Sequence, residues 1–167
     1  MLPIRTILHP TDFSEHSEPA FNVACSLAQS YGARLVLLHV LEPTVLVYGG
    51  VMTPPPPLPG ADERLSARKQ LQRLRPPHSS IPVERLVEAG DSATAIMQVA
   101  RERNCDLIVM GSHGRTGLGR LLMGSVAENV LRKAPCPVLT VKNPTQAALS
   151  HPVVATEAGQ EAVISSR

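Results

Sequence analysis

Aromatic residues are almost absent from this chain. Its 167 residues include two Phe, two Tyr and no Trp. That excludes the stacked-ring platforms that grip single-stranded nucleic acids. A surplus of one charge is missing too. The formal net charge of +2 is too small for an electrostatic footprint on a polyanion, so no nucleic-acid partner is expected. No apolar run is long enough to cross a bilayer, so no membrane span is expected either. The start of the chain passes directly into a strand-like run at 4–8. It lacks the charged and long apolar regions of a secretory signal, and a cytoplasmic location is the expectation. The three cysteines, Cys25, Cys105 and Cys136, are odd in number, widely spaced and form no C-x-x-C. Reduced thiols are the simplest account of them.

What is present is an apolar fraction of 43% in a length that suits one domain with a sizeable core. The chain is organised around residues 106–134, DLIVMGSHGRTGLGRLLMGSVAENVLRKA. A short apolar run, 107–110, has the β-branched content of a strand buried on both faces. A loop follows with Gly111, Gly114, Gly117, Gly119 and Gly124. Then a helix is expected, with Ser125 and Glu128 spaced as a capping box. Val126, Val130, Leu131 and Ala134 form its apolar face. Strand, glycine loop and helix start, in that order, make an anion site: backbone N–H groups approach oxygens closely, and the helix terminus adds partial positive charge. The loop has no Lys, so it is not a P-loop. Leu122 stands where the dinucleotide fingerprint needs its third Gly. The spacing that fits is G-x-x-G, nine residues, then G-S: Gly111, Gly114, Gly124, Ser125.

The rest of the chain alternates. Strands are expected at 4–9, 35–40, 83–88 and Val138–Val141. Helices are expected after Ser14 or Ser17 up to Gly32, at 62–74, and from Asp91 to near Asn104. Strand 83–88 alternates and suits a sheet edge. After Glu42 and up to Gly60 the pattern collapses into Gly and Pro, a surface loop. From 143 onward no period is sustained, and a mobile tail is expected. The order β-α-β-α-β-α-β-α-β argues for a parallel sheet covered on both faces. Asp12 lies at the C-terminal end of the first strand, where open parallel sheets bind ligands.

These pieces, PTDFS at 10–14, LLHVLEP at 37–43, the glycine loop and PCPVLTV at 135–141, resemble the universal stress protein family in its ATP-binding branch. The resemblance spans roughly residues 3–142. It implies a Rossmann-like α/β fold with an open five-stranded sheet of order 3-2-1-4-5. The domain would cover 1–142, leaving 143–167 as the tail. It also implies an adenine nucleotide (ATP, AMP or ADP, with or without Mg) as ligand. Pro10, Thr11, Asp12 and Val40 would border the base. Met110, Gly111 and Ser112 would lie near base and ribose. Gly114, Arg115, Gly124, Ser125 and Val126 would meet the phosphates. A homodimer through the last strand is implied as well. The region 41–75 departs from the family pattern, with its Pro run and short helix.

The residues weigh other chemistries. His9 and His39 end neighbouring strands and read as packed, hydrogen-bonded residues rather than metal ligands. His113, Arg115 and Arg120 either reach phosphate or stand in solvent. Asp12 is the one acid placed in the cleft, so slow or absent hydrolysis is expected. Two further classes stay open. A hydrolase or adenylyl-transferring enzyme on this scaffold would need a second polar cluster. An interaction module with an unused nucleotide site would not need the glycine spacing.

Overall fold

Runs of apolar residues form the strands, and apolar stripes at helical spacing close over them. The computed structural model describes residues 4–43, 59–113 and 123–142. In chain order the elements are β1 (Thr6–Pro10), α1 (Glu18–Tyr31), β2 (Arg34–Leu41), α2 (Ala61–Arg73), β3 (Val83–Ala89), α3 (Ser92–Glu102), β4 (Leu107–Gly111), α4 (Ser125–Lys133) and β5 (Val138–Val141). The strands are parallel, in the order β3-β2-β1-β4-β5. This is the expected open, doubly covered sheet, with β3 at one edge. The Pro-rich loop, the glycines at 114, 117 and 119, and the chain from 143 lie outside the described residues.

Each face of the sheet carries its own core. Ile7, Leu35, Leu37 and Val109 point to one side, against Ala20, Phe21, Ala24 and Cys25 of α1 and Leu71 of α2. Leu8, Val36, Leu38, Ile108 and Met110 point to the other, against α3 and α4. Alternate residues of one strand thus serve opposite layers, which is why the central strands read as unbroken apolar runs.

The helix ends partly follow the sequence. Gly32 closes α1 at φ +63°, a conformation side chains resist. Asp91 caps α3 by accepting the Thr94 N–H at 2.9 Å. Ser17 occupies the cap position of α1, but its hydroxyl makes no capping bond. It donates instead to the Ser14 carbonyl at 2.8 Å and lies 3.1 Å from Thr11 Oγ1.

The capping box expected at α4 does not form. Gly124 is the N-cap and Ser125 the first helical residue, with no side-chain cap present. Glu128 turns outward to Arg132, 2.8 Å away. The helix starts one residue earlier than a Ser125 cap requires, because the Ser112 carbonyl holds the Gly124 N–H at 2.8 Å.

Candidate functional site

The crevice lies at the C-terminal ends of the strands, where β1 meets β2 on one side and β4 on the other. Chain crossings leave opposite faces of the sheet there, opening a gap that helices do not fill. Two buried histidines brace the strands beneath it, of which His39 lines the crevice. His9 Nδ1 lies 2.8 Å from the Val109 carbonyl, tying β1 to β4 beyond the last ladder pair, Leu8↔Ile108. His39 Nδ1 lies 2.8 Å from the Thr11 carbonyl. Both are buried and act as structural hydrogen-bonding groups, as their sequence setting suggested. Burial pushes the His9 imidazole down to about 4, against smaller opposing effects of the Val109 bond and of Asp12. Its Nε2 is buried without a hydrogen-bond partner among the described residues, and the ring rests against Phe21, with centroids 5.7 Å apart.

Beyond β1 the chain turns sharply. Thr11 N–H donates to the Leu38 carbonyl at 2.8 Å, and Thr11 Oγ1 accepts from the Phe13 N–H. Asp12 Oδ1 accepts the Ser14 N–H at 3.1 Å and the Ser14 hydroxyl at 2.6 Å. Phe13 takes φ +61° and stacks on His39, with centroids 4.3 Å apart. The turn is therefore over-determined by local bonds, and Asp12 is half-buried at the lip of the crevice.

Across from it, Gly111 ends β4. A Cβ there would lie 2.8 Å from the His16 carbonyl and 3.0 Å from that of His113. This glycine is required by the approach of the α1 entry loop, whatever the crevice holds. Ser112 then clamps the ends of the glycine loop. Its N–H donates to the Val141 carbonyl at 2.9 Å and its carbonyl accepts from Gly124 N–H.

That last bond changes which groups face the crevice. Gly124 was expected to offer its N–H to a phosphate, but Ser112 already holds it. The first helical backbone bond runs from Glu128 N–H to the Gly124 carbonyl. The N–H groups of Ser125, Val126 and Ala127 are left without a backbone or side-chain cap partner among the described residues. Three adjacent orphan donors at the positive end of a helix are an anion cradle.

One cavity of about 610 Å³ joins these parts. Pro10, Thr11, Asp12, Val40, Met110, Gly111, Ser112, Gly124, Ser125 and Val126 all line it. The topology thus brings together positions from four separate stretches of the chain. Gly114 and Arg115 lie outside the described residues. The sequence reading missed Ala127, Ile96 of α3, and Glu63, Ser66 and Gln70 of α2, which also line the cavity. Ala127 carries no side-chain signal for a backbone donor, and the α2 residues read as a solvated face. Among the described residues, no group of three or more His, Cys, Asp or Glu is placed to hold a metal ion. No helix among them is long and apolar enough to cross a membrane.

The volume falls within the range of small-molecule sites. The cavity pairs an anion cradle at α4 with an apolar slot formed by Leu38, Val40, Ile96 and Met110. It suits a ligand with an anionic end and a flat apolar end.

Comparison with known proteins agrees with this architecture. A universal stress protein of Thermus aquaticus is 36% identical over 143 residues, covering 83% of this chain and 98% of its own length. The solved structure of protein MJ0577, a universal stress protein of Methanocaldococcus jannaschii, superposes with a TM-score of 0.68 at 26% identity, covering 85% of this chain and 98% of that one. A universal stress protein solved in complex with cAMP has the same fold, with a TM-score of 0.62 at 24% identity over 84% of this chain and 98% of its own. The sequence model of the universal stress protein family matches residues 3–142, and the chain belongs to that family.

Proposed function

We propose that this protein binds an adenine nucleotide in the crevice between β1 and β4 and acts as a nucleotide-dependent switch or interaction module. The observation that carries this reading is that the N–H groups of Ser125, Val126 and Ala127, three residues lining the cavity, have no backbone or side-chain cap partner among the described residues. Phosphate oxygens satisfy such donors without a charged side chain. The base lies in the slot of Leu38, Val40, Ile96 and Met110, with Asp12 accepting from its amine or from the ribose. Gly114 and Arg115, outside the described residues, are further candidates for phosphate contact in this reading. A relative of the same fold solved with cAMP supports an adenine nucleotide over other anions. ATP, ADP and AMP all meet the cradle's requirement, and Mg²⁺ would arrive coordinated to the phosphates.

Hydrolysis is slow or absent in this reading. Water activation needs a positioned base. Glu42 and Glu63 line the cavity besides Asp12, which corrects the expectation of a single acid there; Asp12 is engaged by Ser14, and Glu63 accepts the Gly60 N–H at the start of α2. The protein works as a homodimer in the cytoplasm, paired through β5. Native mass spectrometry of the protein as purified tests the ligand and the subunit count together. The expected result is a dimer carrying adenine nucleotide. If ATP, ADP, AMP and cAMP, added to excess, give neither a mass shift nor a change in melting temperature, the reading is wrong.

A further inference from the structure

We propose that the cavity-facing side of α2, with Gln70 foremost, reads the base and sets which nucleotide is held; this rests on the nucleotide reading above. Glu63, Ser66 and Gln70 stand at i, i+3 and i+7, so they share one side of the helix. All three line the cavity, while Ala67 and Leu71 anchor the helix in the core. α2 packs on β2 and β3, whereas α4 packs on β5 and α3. The α2 wall and the phosphate cradle therefore lie at opposite ends of the cavity. Whatever part of a nucleotide is farthest from its phosphates meets α2.

The remaining walls at that end leave the selectivity open. The side chains of Leu38, Val40, Ile96 and Met110, on the α3 side of the sheet, accept any flat ring because they offer no polar pattern, and Glu42 just beyond β2 offers acceptors alone. Asp12 offers acceptors alone, and its Oδ1 already receives two hydrogen bonds from Ser14, so it can meet the amine but not the ring nitrogens. Glu63 is partly committed as well, accepting the Gly60 N–H at the start of α2 at 3.2 Å. Gln70 is the only carboxamide among the described lining residues, and it is half-buried. A carboxamide presents an acceptor beside a donor. Adenine presents its amine donor beside ring-nitrogen acceptors, the complement of that pair. Ser66, one turn nearer the helix start, has the hydroxyl chemistry to meet a sugar.

Exchanging the donor for a second acceptor at the same size tests this directly. Calorimetry of the full chain with ATP, GTP and inorganic tripolyphosphate, at fixed salt and Mg²⁺, is run on the wild type, Gln70→Glu and Gln70→Leu. Tripolyphosphate affinity is expected to be the same in all three. Gln70→Glu should lose roughly ten- to a hundredfold in ATP affinity and shift the ATP:GTP ratio toward GTP, whose N–H groups suit a carboxylate. Gln70→Leu should lose ATP affinity without gaining GTP. Gln70→Glu is isosteric on a largely solvated helix, so it stays testable even if the Leu variant misfolds. A wild type that prefers ATP beside variants with an unchanged ATP:GTP ratio overturns the role of Gln70 and leaves the nucleotide site standing. A wild type that binds none of the three overturns both.

Discussion

His9 shows how one residue can serve structure and carry a cost. Its Nδ1 bonds the Val109 carbonyl across strands that are already diverging, and the rest of the ring is buried. A buried imidazole resists protonation, and in the folded state it protonates only at about 4. The unfolded chain takes up that proton near the ordinary value of 6.5. As pH falls from 6.5 toward 4, the unfolded state therefore binds more protons, and stability drops by up to roughly 3 kcal/mol. Above 6.5 the contribution is complete and flat. Urea melts from pH 7.5 to 4 should show this slope. His9→Leu should flatten it while costing about 1–2 kcal/mol at pH 7.5 for the unpaired Val109 carbonyl. An unchanged slope in that variant would place the titration elsewhere. Gly111 makes a second residue-scale case. Its backbone is ordinary, but a methyl there meets two carbonyl oxygens. Gly111→Ala should cost about 1–3 kcal/mol even without ligand, read by the same melts. Sequence reading assigned this glycine to the ligand. Only the fold shows that the α1 entry loop claims it first, because a close approach between residues 16 and 111 leaves no trace in composition.

Among the helices, α2 buries the smallest share of its residues. It spans Ala61–Arg73 and buries only Ala67 and Leu71. Arg85 of β3 reaches over to hold its end, with Nε 3.0 Å from the Leu71 carbonyl and Nη2 3.0 Å from that of Leu74. A cation on the last carbonyls satisfies orphan acceptors and complements the helix dipole. Arg85→Ala should destabilise by about 1–2 kcal/mol, with hydrogen exchange speeding up in α2 before α1 or α3. Uniform exchange changes would mean that Arg85 supports the sheet rather than the helix. Element identities and order were legible because period-2 and period-3.6 patterns are local. The role of α2 was not. A polar stripe looks alike whether it faces water or a cavity, and packing alone distinguishes them. The start of α4 failed for a related reason. The Ser125–Glu128 spacing is genuine, but the tertiary bond from Ser112 to Gly124 decides where the helix begins. Ser125→Ala should accordingly change stability by only a few tenths of a kcal/mol rather than the ~1 kcal/mol of a lost cap, as thermal melts can show.

At the scale of the whole molecule, β5 forms one edge of the sheet. Leu139 on it is 39% exposed, and Val138 and Val141 are only half-buried. An apolar edge with open backbone groups favours pairing with a copy of itself. Val138→Lys combined with Val141→Lys should convert dimer to monomer in sedimentation velocity, and a wild type already monomeric at micromolar concentration contradicts the pairing. The crevice itself follows from topology, since order 3-2-1-4-5 forces β1 and β4 to part and places Asp12 opposite Gly111. The alternating elements implied only a parallel, doubly covered sheet, and the order came from the family resemblance. The resemblance pointed to Ser125 and Val126 as donors, but that Gly124 is taken and Ala127 joins them could not be read, because backbone N–H groups are common to every residue and only the helix boundary shows which are paired. Gly124→Asp probes them most directly. Gly124 has φ −72° and ψ 152°, open to any residue, and Asp is among the best N-cap residues. The variant should therefore fold at least as well as the wild type while setting a carboxylate against the phosphates. Calorimetry with ATP, after a melt confirms folding, should show binding weakened at least tenfold. A folded Gly124→Asp that binds ATP as tightly as the wild type would mean that the phosphates do not lie at the start of α4.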